Sequence, residues 1–125
     1  MRLKVELSSA NLYSLATSPI AILPSAPAGH AYVVKSAQAN VKNGTTAYDT
    51  GAIYFTEDGT VPNAHYLVVI DKAANGFWDG SKSGIHTSAT TQIIAGAPLY
   101  VTVDGAPTVG DGDIDLYVEY ELIEI

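Results

Sequence analysis

The 125-residue chain carries 6 basic against 13 acidic residues, a formal net charge of −7, and contains no cysteine. Disulfides, thiolate metal sites and cysteine nucleophiles are therefore excluded, and the acidic balance works against nucleic acid as a partner. The length fits one domain spanning residues 1–125, and with only 15% charged residues its surface should be hydroxyl-rich and suited to packing against neighbours.

At the start of the chain Leu3, Val5 and Leu7 alternate with Arg2, Lys4 and Glu6, the period of a half-buried β-strand. Glu6 and the polar residues Ser8, Ser9, Asn11, Ser14 and Thr17 argue against a secretory leader. No stretch approaches the ~20 apolar residues of a membrane span, so no membrane partner is expected. Ser8 or Ser9 can cap a single helical turn near residues 9–15. Residues 20–23 form a short apolar strand closed by Pro24, and the loop 25–29 holds a proline and a glycine that stop further pairing.

Residues 31–42 read as a long strand whose character changes partway. Val33, Lys35, Ala37, Ala39 and Val41 share one face; Ser36, Gln38, Asn40 and Lys42 lie opposite. At its start Tyr32 and Val34 make the second face apolar as well, which predicts a cover there, either a loop or a second subunit. Asn43-Gly44, Asp58-Gly59, Asn75-Gly76, Asp79-Gly80, Asp104-Gly105 and Asp111-Gly112 favour positive φ and predict antiparallel connections. Between them, strands are expected at 52–56, 66–71, 91–95 and 99–103, the second apolar on both faces. Residues 75–88 hold Phe77 and the single Trp78 without periodicity, and read as a long excursion.

The last stretch organises the rest. Ile114, Leu116, Val118, Tyr120 and Leu122 form an unbroken apolar file, and Asp113, Asp115, Tyr117, Glu119 and Glu121 lie between them. A one-residue slip would put the apolar file in water and carboxylates in the core, so the register of this strand is tightly specified. About eight strands with at most one helical turn predict an all-β fold, an antiparallel β-sandwich of jelly-roll type.

Asp111, Asp113 and Asp115, on one side of an extended segment, are the candidate calcium ligands, although their spacing lacks the glycine and terminal glutamate of an EF-hand loop. An acidic turn opening a strand with a wet face is the simpler reading of them, so no metal is expected. His30, His65 and His86 have no zinc-type partners at short spacing. Glu119 and Glu121 resemble a glycosidase pair but continue the alternation of the wet face. No nucleophile elbow, phosphate loop or dinucleotide pattern is present, so neither enzymatic activity nor a cofactor is expected. The eight tyrosines, Phe77 and Trp78 could make a sugar-binding platform, with Trp78 the best candidate for stacking on a sugar and plain loop packing the competing reading. Tyr32, Val34, Leu67 and Val69, apolar positions on strands that read as two-sided, are the candidate subunit contacts.

Leu12-Tyr13-Ser14-Leu15-Ala16-Thr17-Ser18-Pro19-Ile20 comes first, then Pro24-Ser25-Ala26-Pro27-Ala28-Gly29 before Tyr32-Val33-Val34. Asn43-Gly44-Thr45-Thr46-Ala47-Tyr48 follows, and Gly110-Asp111-Gly112-Asp113-Ile114-Asp115-Leu116-Tyr117-Val118 leads to a short apolar C-terminus. In order and spacing these stretches resemble a family of small virion proteins of tailed bacteriophages, over most of the chain outside residues 61–90. The resemblance implies a β-sandwich on the capsid surface, a decoration (cement) protein that self-associates as a trimer on the major capsid protein and has no enzymatic activity. The alternative is a receptor- or carbohydrate-binding module of a tail fibre.

Overall fold

A computed structural model describes residues 1–49, 52–60, 64–70, 74–81 and 93–125. The elements are β1 (Arg2–Leu7), α1 (Ser9–Ser14), β2 (Ile20–Leu23), β3 (His30–Lys42), β4 (Ala52–Thr56), β5 (Ala64–Val69), β6 (Gly76–Ser81), β7 (Ile93–Ala95), β8 (Leu99–Val103) and β9 (Asp113–Glu124). The fold is all-β and antiparallel, with α1 as its one short helix among the described residues. Ser8 starts α1 through a capping box: its hydroxyl accepts from the Asn11 amide, while the Asn11 side chain accepts from the Ser8 amide.

Pairing is nested. β1 pairs β9, β2 pairs β8, β3 pairs β6 and β7, and β4 pairs β5. Wrapping such a nested ribbon gives two stacked sheets, one ordered β1-β9-β3-β6 and the other β2-β8-β4-β5, which is the jelly-roll order. The strand β6 joins them. Its first part, Gly76 to Asp79, lies along β3, whereas Gly80 and Ser81 lie along β5. Strands that change sheet form the corners of such sandwiches, and Gly80 stands at this corner without a side chain.

Two expectations change here. Residues 76–81, read from sequence as part of an irregular excursion, are a strand, because the partner edges of β3 and β5 supply the pairing that local periodicity does not reveal. Of the six turn dipeptides, Asp58-Gly59 and Asn75-Gly76 lie between strands that pair with each other. Asp79-Gly80 lies inside β6, and the remaining three lie in connections between opposite sheets.

The core is what the alternation of β9 predicts. Ile114, Leu116 and Val118 are at most 1% exposed and stand opposite Val41, Ala39 and Ala37 of β3. Ile53, Phe55, Val68, Val101 and Val103 come from the other sheet, and Leu12 and Leu15 of the α1 region join the same cluster. At roughly 1.5–3 kcal/mol per buried aliphatic side chain, the three fully buried residues of β9 contribute about 5–9 kcal/mol of burial energy.

The change of face along β3 has a local cause. The β3–β9 register shifts between Val34 and Ser36, a β-bulge that places Lys35 as the extra residue. Beyond it the alternation inverts, so Tyr32 and Val34 stand opposite Leu122 and Tyr120 on the inner face. Tyr32 is 6% exposed and Val34 1%. The Tyr32 ring packs edge-on against Tyr120 at 5.8 Å, and its hydroxyl donates to the Pro24 carbonyl at 2.8 Å. The second apolar face is the core itself, and on the opposite face Ala31 is also buried and Val33 half-buried.

Candidate functional site

Four connections meet at one end of the sandwich: the α1 segment, the β3–β4 loop, the β5–β6 loop and the β8–β9 loop. They are laced together by side chains. Asp49 of the β3–β4 loop accepts from the Thr108 amide at 2.8 Å, the Val109 amide at 3.3 Å and the Thr108 hydroxyl. In return, Asp111 of the β8–β9 loop accepts from the amides of Thr45 and Thr46, at 2.8 and 2.9 Å, and from the Thr45 hydroxyl at 2.6 Å. Each loop thus clamps the backbone of the other. The hydrogen bond from the partner threonine hydroxyl, above all, holds each carboxyl below its usual range.

Tyr48 plugs this end from inside. It is 1% exposed and donates to the Gly112 carbonyl, and burial pushes its phenol up to about 12. Tyr13 donates to the Gly110 carbonyl at 2.7 Å, and Asn75 brackets Gly44 by donating to its carbonyl at 2.7 Å and accepting from its amide at 3.2 Å. Gly110 has φ +123°, and a Cβ there would collide with the Tyr48 ring.

The acidic trio of the sequence is dispersed by these contacts. Asp111 is bound into the clasp, and Asp113 accepts from Asn43 at 3.3 Å. Asp115 is buried to 5% exposure and paired with Lys42 at 2.9 Å, with Lys4 at 3.9 Å. Its place on the wet face is therefore not open to solvent: lysine side chains cover it. A groove of about 330 Å³ runs past Asp113 and Asp115, lined also by Glu6, Leu7, Ser8, Asn11 and Lys42. Among the described residues no three His, Asp or Glu side chains are grouped to hold a metal ion.

The outer face of the β1-β9-β3-β6 sheet carries a feature that alternation alone does not expose. Tyr117 stands opposite Lys4 on β1 and Gln38 on β3, and Phe77 of β6 stands opposite Asn40. The two rings stack at 6.0 Å with planes 14° apart, and the Arg2 guanidinium lies 5.0 Å from the Tyr117 ring centre. The result is a file of cation, tyrosine and phenylalanine running across the strands. Phe77 at its end is 60% exposed. Beside the file is a hollow of about 120 Å³ lined by Arg2, Ser36, Gln38, Tyr117 and Glu119. Glu121 pairs with Lys35 at 2.9 Å, and that hydrogen bond keeps its carboxyl below the usual range.

The other predicted residues are placed as follows. Tyr32 and Val34, expected at a subunit contact, belong to the core of their own chain because the bulge turns them inward. Leu67 and Val69 lie on β5 opposite Tyr54 and Ala52; their side chains fall outside the described residues. Trp78 is in β6 opposite Ala39, a strand and not a loop position, and its side chain is also outside them. His30 Nδ1 is 3.0 Å from the Ala28 carbonyl, and His86 lies outside the described residues. The pairing of Phe77 with Tyr117 is not visible in the sequence, because the two are 40 residues apart and meet only across the sheet.

Both sheets end in edge strands. Among the described residues β1 pairs only with β9, and β2 only with β8. Leu3 and Val5 on β1 and Ile20 and Ile22 on β2 pack on the core but remain partly exposed. Among the described residues no helix is long and apolar enough to cross a membrane. Compared with protein-family models, curated proteins and solved structures, the chain matches none.

Proposed function

We propose that this chain is a structural protein of a tailed-phage virion, a decoration protein that binds the outer capsid surface as a homo-oligomer, a trimer, and stiffens the shell without catalysing a reaction. The observation that carries the self-association is the pair of edge strands, β1 and β2, each with one edge that no other described strand pairs. Unpaired strand edges with half-covered aliphatic side chains are templates for further pairing, and a symmetric oligomer protects them. Leu3, Val5, Ile20 and Ile22 take the place of Tyr32 and Val34 as the contact residues. The laced loop end supports the same reading, since a contact surface that does not rearrange loses little entropy on docking.

Sedimentation of the purified chain at micromolar concentration is the first test. An oligomer that Val5→Lys and Ile22→Lys convert to monomer is expected; a clean monomer would refute the contact. Mixing the protein with undecorated capsids and imaging them is the second: occupancy fixed by capsid symmetry is expected. Binding to host cells in place of capsids would favour the alternative, a receptor-binding module of a tail fibre, for which the exposed Phe77 is the supporting observation.

A further inference from the structure

We propose that the Phe77–Tyr117 file and the hollow beside it form a binding site for a neutral pyranose saccharide. The inference rests on the outer sheet face alone and does not depend on where a particle would carry the chain. A pyranose has one face rich in C–H groups and a rim of hydroxyls that donate and accept. Its site therefore needs an aromatic surface next to mixed, planar polar groups, and both are here. Phe77 offers a ring 60% exposed to solvent, held by its stack on Tyr117. Tyr117 is fixed in turn by Arg2 at 5.0 Å and Lys4 at 5.9 Å.

Tyr117 is also a wall of the hollow, so the aromatic file and the polar recess are contiguous. The other walls are Arg2, a donor; Glu119, an acceptor; and Ser36 and Gln38, which can be either. That composition suits vicinal hydroxyls, each of which gives one hydrogen bond and takes another. Arg2 and Glu119 contribute opposite charges to the recess, which selects a neutral sugar over an anionic one. A nucleobase would stack as well, but the chain's net charge of −7 opposes the phosphates attached to it. Tyr117 stands on β9, paired on both sides by β1 and β3, so the ring at the centre of the file sits on a rigid base.

The test is amide NMR of the full-length, isotope-labelled chain titrated with methyl α-glucopyranoside, methyl β-galactopyranoside and methyl α-mannopyranoside. Concentrations should reach roughly 50 mM, above the millimolar Kd expected for a single sugar ring. At least one sugar should shift the amides of Ser36, Gln38, Phe77, Tyr117 and Glu119 together. Phe77→Ala and Tyr117→Ala should each weaken that binding by about tenfold or more, while Phe77→Trp should retain it. The remaining amides of each variant report whether the fold is intact, and Phe77→Trp keeps the test available if Tyr117→Ala is disruptive. No shifts with any of the three sugars would overturn the proposal, as would shifts that Phe77→Ala leaves unchanged. An oligomer that Phe77→Ala dissociates, without sugar-induced shifts, would overturn it in favour of a second copy on this face.

Discussion

Asp49 and Asp111 are exposed on the surface, yet each accepts two backbone amides and a hydroxyl from the opposite loop. Because both carboxyls are held below their ordinary values when folded, their contribution is present above the unfolded-state pKa and lost as pH falls through the folded one. We expect the amides of Thr45, Thr46, Thr108 and Val109 to lose hydrogen-exchange protection below about pH 4, with the β-strands still intact. Asp111→Ala should remove the protection of Thr45 and Thr46 at neutral pH. Tyr48 is the apolar counterpart of this clasp. Tyr48→Phe strands the buried Gly112 carbonyl and should cost about 1–3 kcal/mol in denaturant unfolding. Gly110→Ala should cost a similar ~1–3 kcal/mol, since it combines a left-handed φ with a collision against the Tyr48 ring. None of these pairings is legible from the chain alone. Asp111 and Thr45 are 66 residues apart, and the sequence shows the Asp111–Asp115 carboxylates as one cluster where the fold gives each a different partner.

At the scale of elements, β9 was fully legible, because strict alternation over ten residues has one physical reading. β3 was legible in extent but not in register. Its residues from Ser36 to Lys42 alternate correctly, but plain alternation puts Tyr32 and Val34 on the outer face because it does not show that a single extra residue, Lys35, inverts the phase. Removing that residue is a direct test. With Lys35 deleted, Val34–Tyr120 and Ser36–Glu119 become consecutive pairs of a regular ladder, and Tyr32 and Val34 keep their inner places. The expected change is within about 1 kcal/mol, read as a nearly unchanged denaturant midpoint, since only the bulge and the Lys35–Glu121 pair are lost. A loss on the order of 3–6 kcal/mol, the burial of two large side chains, would show that they turn outward and that Lys35 is not the extra residue. β6 was missed as a strand because its two halves answer to different sheets, so neither half shows a sustained period.

For the whole molecule, nested pairing has a kinetic consequence. The first strand pairs with the last, and β2 pairs with β8, so the chain must close long loops before these contacts form. Refolding measured by stopped-flow fluorescence should fall in the millisecond-to-second range typical of such topologies; microsecond refolding would contradict the nesting. Composition, the two-residue period and the turn residues by themselves determined an all-β, cysteine-free, acidic domain and the dry face of its last strand, because those follow from local sterics and burial. Which strands pair, that Tyr32 and Val34 face inward, that Asp49 and Asp111 clasp opposite loops, and that Phe77 meets Tyr117 were decided only by the tertiary structure. Each of these depends on which distant edge a strand finds, and no local pattern carries that information.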